Sequence, residues 1–186
     1  DSAPVQKFRD LLKLYDGIDK KKLQENMKYW LEAIMPICDE YDINMCVHPD
    51  DPPYPVFGLP RIIGRAEDIQ WMLDAVPNKH NGLTFCGGSF SAGEHNDCVA
   101  MAKQFADSTR FVQLRSCYIF PNGNFTEASH LGGRGHLIEL CRIFEKAEQE
   151  GKCNSGRRLP MRVDHGMTFT DEPGGVFDES NHGHNA

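Results

Sequence analysis

"INMCVHPDDPPYP", residues 43–55, joins two unlike pieces of chain. Residues 43–47 form a short, mostly apolar run with the length and composition of a buried strand. His48 follows at once, and then two aspartates and four prolines fall within the next seven positions. Proline locks φ and carries no N–H, so this part can neither prolong a strand nor enter a helix. The strand is therefore predicted to stop at a histidine, with a stiff, extended loop behind it.

The same event recurs three times. "LTFC" (83–86), "RFVQL" (110–114) and "LPMRV" (159–163) are also short apolar runs. Between them the apolar residues fall at helical spacing. Residues 20–41 carry Leu23, Met27, Trp30, Leu31, Ile34, Cys38 and Tyr41, with Pro36 expected to kink the helix near its end. Residues 65–76 carry Ala66, Ile69, Met72, Leu73 and Val76. A third helix, for which Asn96 is the predicted cap, carries Val99, Ala102, Phe105 and Ala106. Residues 136–150 carry Leu137, Leu140, Cys141, Phe144 and Ala147. Short strands alternating with helices predict an α/β fold with a parallel sheet, because parallel strands need crossovers. A closed (β/α)8 TIM barrel needs eight such units and typically about 250 residues. Four units in 186 residues read as one domain, 1–186: a partial TIM barrel, roughly its C-terminal half, with a loop-rich tail at 166–186. A freestanding four-stranded sheet is the alternative. The glycine-rich stretch 116–135 is expected to be a long loop, of the kind that serves as a lid.

Net charge is −7 and the basic residues are scattered, which argues against nucleic acid as a partner. No run of about 18 apolar residues is present to span a membrane. The seven cysteines are irregularly spaced and form no CxxC. That pattern suggests a reducing, cytoplasmic compartment rather than a disulfide framework. Cys38, Cys98 and Cys141 fall in helical stretches and read as small buried hydrophobes. His80, His95 and His136 read as surface or helix-terminal residues, and Trp30 and Trp71 as packing. There is no GxGxxG, P-loop or GxSxG.

In parallel α/β folds the chemistry collects at the carboxyl ends of the strands. Those ends carry His48, Cys86, Gln113 followed by Arg115, and Asp164 followed by His165. Each alone has an ordinary reading: a hydrogen-bonded loop histidine, a buried thiol before a glycine turn, a loop-orienting aspartate. Together, at equivalent places on one fold, an imidazole, a thiol and a carboxylate suit a divalent transition metal better than Ca or Mg.

Several stretches together resemble the D-mannonate dehydratase family of bacterial hexuronate breakdown: "HPDDPPYPVFGLPRI", "TFCGGSFSAG", "NDCVAMAKQF", "FVQLRS", "EASHLGGRGH" and "MRVDHG". The resemblance covers nearly the whole chain, in order. It implies an interrupted TIM barrel and the conversion of D-mannonate to 2-keto-3-deoxy-D-gluconate and water with Mn²⁺ or Fe²⁺. It places His48, Cys86 and Asp164 on metal-ligand positions. Gln113 stands where the family has a histidine. A glutamine carbonyl is a poorer partner for Fe²⁺ or Zn²⁺ than an imidazole. The resemblance also implies a longer protein, with the first half of the barrel before residue 1 and a catalytic tyrosine beyond residue 186. On this footing Asp164 and His165 are the expected proton-handling residues, and Arg115, His130, Asp50 and Asp51 the expected substrate-binding ones. The substrate is then a sugar acid. A half barrel would expose a large apolar edge, which predicts a homodimer or higher homo-oligomer. The rival expectations are a related metal-dependent sugar isomerase or epimerase, and a non-catalytic sugar-acid or metal-binding remnant.

Overall fold

The computed structural model describes residues 2–164; His165 and the tail behind it lie outside them. Four parallel strands form the central sheet, β1 (Met45–Val47), β2 (Asn81–Cys86), β3 (Thr109–Gln113) and β6 (Met161–Arg162), in the order β1-β2-β3-β6. Helices make the crossovers: α3 (Ala66–Ala75) lies between β1 and β2, α5 (Cys98–Phe105) between β2 and β3, and α6 (Leu137–Gln149) between β3 and β6. Two further helices, α1 (Ala3–Lys13) and α2 (Lys20–Tyr41), precede the sheet. The α/β class and the parallel sheet thus agree with the sequence reading. Among the described residues the sheet is open, with β1 and β6 as its edges.

Register fixes which side chains share a face. Val47 pairs with Leu83, Phe85 with Val112, and Val112 with Met161. That face joins the core with Leu31, Ile69, Met72, Phe105, Leu140 and Phe144 of the helices. Side chains alternate along a strand, so Cys46, Thr84, Cys86, Phe111 and Gln113 belong to the opposite face. Cys86 pairs with Gln113 at its upper end. β2 is buried over its whole length, as a central strand should be.

Local chemistry explains where the elements begin. Asp19 caps α2 by accepting from Lys22 N at 2.8 Å. Asp97, not Asn96, caps α5, accepting from Val99 N and Ala100 N at 3.0 Å each. The Asn96 amide is instead buried, donating to Gly64 O and Phe90 O. A carboxylate one residue nearer the helix reaches its free N–H groups, which leaves the amide for loop carbonyls. Residues 87–91 are also not a plain turn: they form the short helix α4 (Gly87–Ser91), for which Cys86 is the N-cap.

The stretch 116–135 is only partly loop. It contains an antiparallel hairpin, β4 (Cys117–Ile119) and β5 (Phe125–Glu127), with Cys117 opposite Glu127. Trp30 is half exposed, so the packing role expected of it is at best partial. His80 is not a surface residue but 1% exposed. Asn154 Nδ2 donates to Arg158 O, Asn44 Nδ2 to Asn154 Oδ1, and His80 Nδ1 to Asn44 Oδ1. This amide relay ties the amino end of β2 to the turn before β6.

Candidate functional site

The upper rim of the sheet gathers the strand-end residues. Parity puts His48, one residue beyond β1, on the same face as Cys46, and Cys86 and Gln113 share that face. His48 Nε2 lies 2.6 Å from Gln113 Oε1, and Gln113 Nε2 donates to Asp164 Oδ1 at 3.0 Å. Asp164, just past β6, is half-buried. Cys86 is fully buried, its Sγ accepts from Ser89 N at 3.4 Å, and its thiol is the strongest influence on the His48 imidazole. His48, Cys86, Gln113 and Asp164, each from a different strand end, are therefore in one connected cluster.

The donors and acceptors fix the protons. An ionised carboxylate only accepts, so the amide nitrogen of Gln113 must face Asp164 and its oxygen His48. His48 Nε2 then carries a hydrogen. His48 Nδ1, 2.7 Å from Pro49 O, carries another, because a carbonyl can only accept. An imidazole with both nitrogens protonated is a cation. In agreement, the hydrogen bond to Cys86 is the largest influence holding the His48 pKa up, to about 9; burial works against it, and the bonds to Pro49 O and Gln113 assist. Among the described residues no group of three or more His, Cys, Asp and Glu side chains is gathered closely enough to hold a metal ion. The Gln113 amide stands between His48 and Asp164.

The other expected site residues are placed differently. Asp50 is a loop fastener: its Oδ2 accepts from Ile62 N and Ile63 N at 2.7 Å each, and its N–H donates to Ile63 O. This closes the proline-rich loop on itself and leaves little of that carboxylate for a sugar hydroxyl. Asp51 is ion-paired with Arg115. The Arg115 side chain is 5% exposed and is also paired with Glu127, from Nε at 2.7 Å and Nη2 at 2.5 Å. A guanidinium already held by two carboxylates is not a free fork for a third, which weighs against Arg115 as the group that grips a substrate carboxylate. His130 is exposed on the loop after the hairpin. His165 lies outside the described residues. Glu127 carried no sequence signal, since a single glutamate in a glycine-rich stretch looks like surface.

Fold and rim together define the class: a parallel α/β protein with a polar, charged cluster at the carboxyl ends of its strands. Comparison with known proteins narrows it. The D-mannonate dehydratase (UxuA) family matches over residues 1–183. A mannonate dehydratase of Marinomonas sp. (strain MWYL1) is 41% identical over 174 residues, 92% of this chain and 44% of that protein. One of Chromohalobacter salexigens is 37% identical over 169 residues, 90% of this chain and 43% of that protein. The crystal structure of mannonate dehydratase from Streptococcus suis serotype 2 superposes with a TM-score of 0.79 at 27% identity, covering 93% of this chain and 49% of that one. The chain belongs to the D-mannonate dehydratase family. It spans about half the length of the relatives it matches. No helix of the described residues is long and apolar enough to cross a membrane.

Proposed function

We propose that the full-length protein dehydrates D-mannonate to 2-keto-3-deoxy-D-gluconate and water, and that the rim cluster is its active site. The carrying observation is the convergence of His48, Cys86, Gln113 and Asp164 from four strand ends, in a chain of this family. The sheet is, on this proposal, part of a (β/α)8 barrel, with the face bearing Cys46, Thr84 and Phe111 turned inward. The protein works in the cytoplasm as a homo-oligomer.

The donors are an imidazole nitrogen, a thiol sulfur, a carboxylate and an amide oxygen. In kind they suit Mn²⁺ or Fe²⁺, with His48, Cys86 and Asp164 as the principal holders and Gln113 through Oε1. Such an ion supplies Lewis acidity, which makes the proton beside the substrate carboxylate removable. Asp164 is the base placed to take that proton, and His165 the group to return a proton to the departing hydroxyl. Asp51 and His130, the latter exposed on the loop after the hairpin, are the groups assigned to the sugar hydroxyls. His48 must first give up the proton on one ring nitrogen, and Gln113 must release its two partners. The self-satisfied contacts of Gln113 also favour a second reading, a sugar-acid-binding protein that does not turn over.

The deciding experiment uses purified full-length protein, stripped of metal, re-supplied with Mn²⁺ and given D-mannonate. Formation of the keto-deoxy acid is expected. Mannonate binding without turnover establishes the second reading, and turnover of a different sugar or sugar acid in a substrate panel replaces the first with an isomerase or epimerase.

Proton competition at His48 makes metal uptake pH-dependent. Its folded pKa, about 9, lies above the ordinary 6.5, so protonation is complete at low pH and opposes binding there. Mn²⁺ affinity is expected to rise about tenfold per pH unit toward 9 and to level off above it, with proton release on binding. A flat titration between pH 6.5 and 9 removes His48 from the ligand set. Gln113→His is expected to tighten Mn²⁺ by about tenfold, equivalent to about 1.4 kcal/mol. Unchanged affinity, measured by direct titration, removes Gln113 from the set.

A further inference from the structure

Arg115 touches a segment just past each of three strand-end residues. Its Nη1 is paired with Asp51, three residues beyond His48. Its aliphatic stem lies over Gly88, two residues beyond Cys86: a Cβ there would sit 2.2 Å from Arg115 Cδ and 2.4 Å from Cγ. Its carbonyl oxygen would be 2.7 Å from a Cβ on Gly87. Arg115 itself is two residues beyond Gln113. On its far side Nε and Nη2 meet Glu127 of β5, whose side chain is 12% exposed. A second contact joins the same two outer segments, since the rings of Tyr54 and Phe125 meet edge to face at 6.4 Å.

We propose that Arg115 is a positioning residue, anchored by Glu127 and Asp51, which holds the loops behind β1, β2 and β3 so that His48, Cys86 and Gln113 stay in mutual contact. A guanidinium suits this task. It is flat, its donors lie at fixed angles, and two carboxylates on different edges fix both its position and its plane. The absence of a side chain at Gly87 and Gly88 lets α4 start directly under it. Burial opposes the charge on Arg115, but the hydrogen bonds it donates to Glu127 and Asp51 outweigh that and push its pKa above the ordinary arginine value. The brace therefore stays charged wherever the protein is folded and takes no part in proton transfer. Glu127 belongs to the site by this route, although it touches none of the cluster.

The inference rests on the proposed site for its chemistry but not for its geometry, so the test has two separate readings. Full-length wild type is compared with Glu127→Gln, which keeps the shape and removes the charge, and with Arg115→Lys, which keeps the charge and removes the fork. In metal-stripped protein, alkylation of Cys86 by iodoacetamide, followed by peptide mass spectrometry, is expected to quicken about 10–100-fold in both variants, the size of effect seen when an outer support of a site is lost. In Mn²⁺-loaded protein, kcat for mannonate is expected to fall by a similar factor in Glu127→Gln while KM changes by less, because Glu127 is not itself assigned to substrate. Cys86 alkylating at the wild-type rate in Glu127→Gln, with kcat unchanged, overturns the proposal, even if the melting temperature drops. Should Arg115→Lys fail to fold, Glu127→Gln carries the test by itself. Should the wild-type protein turn over no mannonate, the proposed function fails, and the alkylation rates still decide whether the brace exists.

Discussion

His48→Ala in the full-length protein is expected to abolish stoichiometric Mn²⁺ binding and to lower turnover of mannonate by about three orders of magnitude. Stabilising developing charge beside a carboxylate is worth several kcal/mol to a metal site, and each 1.36 kcal/mol is about tenfold in rate. The fold should survive. His48 lies outside β1, at the rim of the sheet and not in its core, so its removal opens no core cavity. The loop it begins is closed by other groups: the Asp50 carboxylate on the N–H groups of Ile62 and Ile63, and the pairing of Asp51 with Arg115. Gln113 loses one partner, but it is half-buried and water can replace the imidazole. Metal analysis after dialysis, alongside an unfolding curve, separates the two effects. A variant that unfolds as wild type yet keeps a full equivalent of Mn²⁺ shows that His48 is not a ligand, and the proton-coupled reading of the cluster falls with it.

Why these four positions could be read from sequence, and Glu127 could not, follows from chain geometry. Strand ends are marked by local pattern, and a parallel sheet sends every strand end to one rim. Once four short apolar runs are found, His48, Cys86, Gln113 and Asp164 are brought together by topology alone, with no tertiary detail required. The brace has no such generator. Arg115 meets Asp51 across 64 positions and Glu127 across 12, and nothing periodic links them. The hairpin that presents Glu127 was hidden for a related reason. Its strands are three residues long, too short for alternation to show, and the glycines around it read as loop. His80 shows the opposite failure. A histidine beside polar neighbours looks like surface until Asn44 and Asn154, the latter 74 residues further on, turn out to be the relay that buries it. The shift of the α5 cap from Asn96 to Asp97 is a one-residue error of the sort that two adjacent good caps always invite.

The rim cluster and the Arg115 brace divide the labour between chemistry and rigidity. The cluster at the rim consists of groups that can exchange partners: an imidazole, a thiol, an amide and a carboxylate. The Arg115 brace beside it consists of one guanidinium held between two carboxylates, Asp51 and Glu127. A site that must give up its own internal hydrogen bonds before it can act needs neighbours that hold still.

Phe85→Ala is expected to be the most damaging change to the fold itself, destabilising the protein by about 3–5 kcal/mol. Phe85 is fully buried on the helix-packed face of β2, with the rings of Phe90 and Phe144 each at 5.1 Å. One ring thus links the central strand to α4 on one side and α6 on the other. Truncation leaves a cavity lined by two aromatic rings that cannot both collapse into it, because Phe90 is held by α4 and Phe144 by α6. Total stabilities of domains are about 5–15 kcal/mol, so the loss is a large share of what there is. The site should feel it as well. Phe85 precedes Cys86, and Phe90 lies in the helix that Cys86 caps, so loosening this cluster loosens the thiol. Urea unfolding of the full-length protein measures the effect, with Phe85→Leu as the graded control, expected to cost less than half as much because most of the volume is kept. If Phe85→Ala shifts stability by under about 1 kcal/mol, the size of an ordinary surface change or little more, then the three rings do not form the core that carries Cys86 to the rim.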